Sequence, residues 1–236
     1  MRSHIALTQY ARGFMPGQGA PSMRESLGSM AGAGLGVGLV MVLSAFWLGS
    51  PLFVVAALGA SSILVFCLPA SPLAQPWAVI AGYLVCSVSG VVAAKSGLAL
   101  PLEGGLAVAL AAMGMMLARC LHPPGGAVAL FAVVGGEPVR ALGFGYVLEP
   151  VLLNAALLVA VALIVNNLMP GRRYPHAPAP AHAHPTGFTG DDLRMALREY
   201  DHPLAVGGDE LDEILDLAEG HAKRRREGSR KVSRTV

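Results

Sequence analysis

Six apolar runs, separated by short segments bearing Pro and Gly, occupy the chain from Ser29 to Met169. The first, Ser29 to Leu48, carries no charge and has the length of about twenty residues that a membrane-spanning helix requires. Ser50-Pro51 then reads as an N-cap followed by a first helical residue, opening an apolar segment from Leu52 to Leu68. The loop Pro69 to Pro76 holds three prolines, which set φ and stop helices. A third run extends from Trp77 to Ala94, with Trp77 and Tyr83 read as interfacial aromatics. Lys95 to Gly105 reads as a loop, Leu106 to Leu121 as the fourth run, Val128 to Val134 as a fifth too brief to span alone, and Phe144 to Met169 as the last. This pattern predicts an all-α polytopic bundle.

Charge sharpens the division. Between Glu25 and Arg172 the charged residues are Lys95, Glu103, Arg119, Glu137, Arg140 and Glu149. The whole chain is 54% hydrophobic and 14% charged, against roughly 25% charged for soluble domains. Four regions follow: a leader over 1–26, a transmembrane region over 27–171, a Pro-, His- and Ala-rich linker over 172–190, and a cytoplasmic tail over 191–236. In the tail, Asp191 to Glu199 and Asp209 to Ala222 carry apolar residues at helical spacing and predict two amphipathic helices. The leader lacks the apolar core of a cleavable signal.

Arg2, Arg12 and Arg24 precede the first run, and Arg172 and Arg173 follow the last. Basic residues are retained on the cytoplasmic side, so both termini are expected there, in a multi-pass protein of the cell inner membrane. An even number of crossings is then required. Two counts satisfy it: six membrane segments in two three-helix repeats, the favoured reading, or four spanning helices plus two re-entrant segments. The repeat rests on a loose match of Gly59-Ala60-Ser61-Ser62-Ile63-Leu64-Val65-Phe66 with Gly125-Gly126-Ala127-Val128-Ala129-Leu130-Phe131. If each middle run crosses, the second unit is inverted relative to the first, as in many transporters.

Gly28, Gly32 and Gly36 recur every four residues, with Gly34 and Gly38 on a neighbouring stripe, a pattern that lets another helix approach backbone to backbone and makes a homo-oligomer an expectation. The net charge of +2, without a basic stripe, gives no support for nucleic acid as a partner. Cys67, Cys86 and Cys120 stand alone, and the linker histidines His176, His182 and His184 lack acidic or Cys partners, so no metal or other cofactor is expected. No HExxH or GxSxG motif and no pair of intramembrane acids points to an enzyme.

The chemistry concentrates at Leu121-His122-Pro123-Pro124-Gly125-Gly126-Ala127. Pro123 and Pro124 are expected to break the preceding helix, and Pro124 suits the start of a new one. A helix beginning near Gly125 would point unpaired amides and about half a positive charge into the gap, and the glycines Gly125 and Gly126 would let an anion approach, with Ala127 behind them. Arg119, three residues before His122, is placed to share a helical face with it. Arg119 has two readings, snorkelling to the surface or lining a wet cavity. His122 likewise has two, a cap for freed carbonyls or a group that binds substrate and carries a proton. Gly59, Ser61, Ser62 and Gln75 complete the candidate substrate site, although serines also bond their own helix carbonyls. Asn154 and Glu149 are further polar candidates, with Glu149-Pro150 read as a helix start.

This segment resembles the HPP family of integral membrane proteins, named for the tripeptide. Leu58 to Phe66 and Ser71 to Pro76 match the family as well, and the likeness extends from about Met23 to Pro170. The resemblance implies a membrane region usually described as four helices, and a role in membrane transport. Nitrite is the substrate associated with some members from chloroplasts and cyanobacteria. The tail is similar to a helical segment that in longer members leads to paired CBS domains. Two functions are therefore carried forward: transport of a small inorganic anion, nitrite among the candidates, or a non-transporting scaffold or sensor whose tail recruits a partner.

Overall fold

A computed structural model describes residues 22–48, 57–170 and 172–176, so the linker beyond His176, the two tail helices and the leader before Ser22 lie outside the described residues. The described elements are α1 (Met23–Leu48), α2 (Ala57–Cys67), a 3-10 turn (Pro72–Ala74), α3 (Pro76–Ala94), α4 (Leu100–Leu117), α5 (Gly125–Val134), α6 (Glu137–Leu142), a π-type turn (Val147–Leu152) and α7 (Leu153–Leu168). Four helical stretches are long and apolar enough to cross a bilayer, Met23–Phe46, Pro76–Ala94, Leu100–Leu117 and Val147–Leu168, while α2 and α5 are shorter apolar helices. At 1.5 Å per residue the ten residues of α5 rise about 15 Å, half of a hydrocarbon core.

Side-chain contacts give the direction of each helix. Gly28 of α1 faces Met169 just beyond α7, and Ser44 near the far end of α1 donates to Asn154 near the start of α7, so the two are antiparallel. Trp77 reaches the carbonyl of Ala118, whereas the opposite ends of α3 and α4 meet where Arg140 bridges the Ala94 carbonyl and Glu103. Gly82 faces His122 and Gly90 faces Ala129 and Ala132, so α5 runs parallel to α3. Phe66, at the end of α2, lies over Gly32 and Gly36 and accepts from Arg172. Arg24, Arg119, Arg172 and Arg173 thus gather at one end of the bundle, the arginine face. From it α1, α3 and α5 run away, and α2, α4 and α7 run toward it.

Small residues make this packing possible. A Cβ on Gly90 would stand 2.4 Å from the Ala129 carbonyl oxygen, so α3 and α5 touch backbone to backbone. The Gly32 and Gly36 stripe receives the ring of Phe66 in the same way, whereas Gly34 and Gly38 meet nothing within 4 Å and face outward. Leu35, Phe46, Ile63, Met113 and Ile164 are exposed, as side chains facing lipid must be.

Several boundaries differ from the sequence reading. Helix α1 begins at Met23 rather than Ser29 because the polar residues Arg24, Glu25 and Ser26 still wind, and Ser22 accepts from the Glu25 amide as a cap. Helix α4 begins at Leu100, inside the expected loop, with Pro101 in its first turn. Glu149-Pro150 does not start the last span. Glu149 has extended dihedrals (φ −127°, ψ 115°) and is exposed, so the pair forms a kink between Tyr146 and Leu153. Tyr83 is not interfacial but fully buried, since its hydroxyl finds a partner inside the bundle.

Candidate functional site

The HPP segment does not break helix α4, which has already ended. Arg119 adopts the left-handed conformation (φ 51°), its amide reaches the Met116 carbonyl, and the Cys120 amide reaches that of Met115. These two bonds form a Schellman motif with Arg119 at the position glycine usually takes. The helix therefore stops at Leu117, and Arg119 and His122 share no helical face. Arg119 is exposed at the arginine face, as the snorkelling reading requires, while His122 is wholly buried.

His122 enters the interior because Gly82 leaves room for it. A Cβ on Gly82 would stand 2.9 Å from the His122 Cβ and 3.0 Å from the Cys120 carbonyl oxygen. Two turns along α3 from the Pro76 end, the ring meets polar partners on both edges. Its Nδ1 lies 2.8 Å from the Leu73 carbonyl, and its Nε2 lies 2.8 Å from Ser61 Oγ. A carbonyl can only accept, so Nδ1 carries the hydrogen and neutral Nε2 is the acceptor. Ser61 must then donate to Nε2, and Tyr83, 2.7 Å away, must donate to Ser61. The result is an ordered chain, Tyr83 to Ser61 to His122 to the Leu73 carbonyl, with every hydrogen assigned. The Tyr83 and His122 ring centroids are 5.6 Å apart. His122 is wholly buried and meets no acidic partner among the described residues, so in this arrangement the ring is neutral.

The same chain joins the two short helices. Ser61 lies one turn inside α2, whose first residues Ala57 and Leu58 are buried, and His122 lies just ahead of α5. Gly125, the first residue of α5, presses on Cys86 and on the Gly82 carbonyl, so α5 starts about 9 Å in from the Pro76 end of α3. The amides at this start are not free. Gly125, Gly126 and Ala127 donate to the carbonyls of His122, Pro123 and Pro124, at 2.8, 3.1 and 3.1 Å. The expected cradle of unpaired amides is closed by these turn bonds, although the field of the helix end remains.

The other candidate residues divide clearly. Ser62 bonds the Gly59 carbonyl of its own helix at 2.8 Å and takes no part in the chain. Gly59 and Gly126 have open space where a Cβ would stand. Pro123 and Ala127 are exposed and Pro124 is half-buried. Gln75 has no capacity left for a substrate, because its amide nitrogen donates to the Pro69 and Ser71 carbonyls and its oxygen accepts from the His176 amide. Asn154 is tied to Ser44 in the α1–α7 contact. Sequence reasoning missed Tyr83 and the Leu73 carbonyl. The adjacent Gly82 is the local signal that α3 is closely approached at this level.

A strap beyond α7 is tied to the loop that carries Leu73. Tyr174 is buried, donates to the Ala74 carbonyl at 2.9 Å, and is clamped by Asn167, which bonds both its amide and its carbonyl. Arg172 binds the Phe66 carbonyl and Ser29 Oγ, each at 2.7 Å, tying α1 to α2. At the opposite end Glu103 is buried and pairs with Arg140 at 2.9 Å, and Arg140 also donates to the carbonyls of Val133 and Ala94. A cavity of about 80 Å³ lies beside this pair, lined by Lys95, Arg140 and Gly143 among others. Among the described residues no cluster of His, Cys, Asp or Glu has the makings of a metal site.

The family described as "HPP, transmembrane region" matches residues 18–175, more than half of the chain. Two transmembrane proteins of Dictyostelium discoideum are also similar. One is 38% identical over 128 residues, which cover 52% of this chain and 41% of the relative. The other is 38% identical over 125 residues, covering 51% and 44%. The chain spans less than half the length of these curated relatives. No solved structure matches it.

Proposed function

The chain belongs to the HPP family of integral membrane proteins, and on that premise we propose that it transports a small inorganic anion through the buried site where α2 and α5 begin. One observation carries the reading: a polar chain of Tyr83, Ser61 and His122 lies fully buried in an otherwise apolar bundle, at the meeting of two short helices. Polar and ionisable groups at membrane depth are costly and mark transport paths. Short, interrupted segments at corresponding places in two halves of a chain point to such a site as well.

The directions of the helices favour the six-segment form of this proposal. In α1, α2 and α3 the chain runs away from, toward and away from the arginine face, and in α4, α5 and α7 it runs the reverse. That alternation is what two inverted three-helix units require, with α2 and α5 as the equivalent short members. The gathering of Arg24, Arg119, Arg172 and Arg173 at one face supports a cytoplasmic assignment for that face and for both termini. Nitrite is a candidate substrate by family resemblance alone.

The closed amides at Gly125 to Ala127 shape the mechanism. An anion here is held by the hydroxyls of Ser61 and Tyr83 and by the field of the α5 N-terminus, rather than by a ready-made nest of free amides. Proteoliposome flux measured with nitrite, nitrate, formate and chloride tests the reading. Tyr83→Phe removes one hydroxyl of the buried chain and keeps the ring that packs there, so flux should fall at least tenfold while the protein stays folded. Unchanged flux would remove the site.

The strap favours a second reading, a membrane sensor whose tail acts on the bundle, because Tyr174 and His176 attach the chain before the tail to the loop above His122. Deleting residues 177–236 keeps the strap and separates the two: a transporter retains most of its flux, whereas a sensor loses its partner.

A further inference from the structure

The chemistry around His122 raises a question of charge. The groups that face it are Ser61 from α2, the Leu73 carbonyl from the loop, Gly82 and Tyr83 from α3, Met115 from α4, and Cys120 from its own segment. Of these Tyr83 and Cys120 are titratable, with Cys86 close by against Gly125, and all three are neutral in their ordinary acid forms. The nearest arginine in sequence, Arg119, is turned out to the surface by its left-handed backbone, and the Arg172 guanidinium is spent on Phe66, Glu25 and Ser29. Among the described residues, then, no fixed cation lines the site. An unpaired anion at membrane depth costs many times the thermal energy.

We infer that the anion and a proton occupy this site together, His122 taking the proton at Nε2 and so supplying the positive charge that the site otherwise lacks. The hydroxyl chain is arranged to deliver it. Ser61 passes its hydrogen to Nε2, Tyr83 passes its own to Ser61, and the incoming proton restores Tyr83, so one proton is gained at His122 and no hydroxyl is left ionised. The Leu73 carbonyl holds Nδ1–H throughout, which keeps Nε2 as the atom that accepts. Release of the anion removes the reason for the charge, and the proton leaves with it. The exchange is an electroneutral symport of one proton with one monovalent anion, and it rests on the transport reading above.

The test uses the full chain in liposomes loaded with a fluorescent pH indicator, with nitrite as the probe and protein-free liposomes subtracting the passive leak of nitrous acid. An inward nitrite gradient should acidify the lumen by one proton per nitrite taken up, at a rate unchanged by a potassium-valinomycin potential. His122→Asn, which keeps a donor for Leu73, should abolish this proton movement, and Ser61→Ala should slow it by tenfold or more. Nitrite uptake that follows the membrane potential and moves no proton would overturn the inference while leaving transport intact. Equal proton coupling in both variants would overturn it also. No flux of nitrite, nitrate, formate or chloride by the unaltered protein would instead defeat the transport reading, and this inference with it.

Discussion

Ser61 and His122, 61 residues apart in the chain, lie 2.8 Å apart in the interior, where the serine hydroxyl donates to Nε2 and joins the two short helices. The bond orders the whole site, because Ser61 can donate to the ring only while it accepts from Tyr83.

Ser61→Ala should therefore cost more than one ordinary hydrogen bond. It strands Nε2 and the Tyr83 hydroxyl together in a buried place, where each unsatisfied group costs about 1–3 kcal/mol. A fall in the thermal midpoint of the detergent-purified protein should exceed that of Ser62→Ala, whose lost bond lies within its own helix. Equal losses would argue against the ordered chain.

Gly90→Ala should loosen the α3–α5 contact, since the added carbon would meet the Ala129 carbonyl oxygen at 2.4 Å and backbone cannot step aside. A loss of about 1–3 kcal/mol is the usual cost of overpacking. Gly34→Ala, with nothing within 4 Å, serves as the matched control and should be neutral or slightly stabilising.

At the opposite face, Arg140→Met would leave the Glu103 carboxylate buried without its partner, a change that typically costs about 3–5 kcal/mol. Adding Glu103→Gln should recover much of that loss. A double variant as unstable as the single one would mean that the Arg140 bonds to Val133 and Ala94, rather than the ion pair, hold the corner.

How much of this was legible in the chain depends on the kind of signal. Four long helices, the brevity of α5 and its start at Gly125 follow from local composition, from proline's fixed φ and from the absence of charge, whereas α2 (Ala57–Cys67) takes up only part of the long apolar run Leu52 to Leu68. The nearness of the HPP segment to Gly59–Ser62 was also reachable, through the similarity of two small-residue runs. The agent that ends α4 is not legible in the chain: two prolines are the obvious stop, yet Arg119 in a left-handed turn acts four residues before the first of them. Gln75 and Ser62 looked available for substrate because their side chains are polar, and both are consumed by carbonyls that only the folded loop and helix bring within reach.

By itself the sequence determined that most of this chain belongs in lipid and which of its segments wind, because hydropathy and backbone stereochemistry are properties of neighbouring residues. Only the tertiary structure decided that Tyr83 is an interior donor, that Arg119 and His122 part company, and which nitrogen of His122 holds its hydrogen. Those outcomes depend on partners far away in the chain, and a buried polar atom is assigned its role by whatever carbonyl or hydroxyl the packing sets beside it.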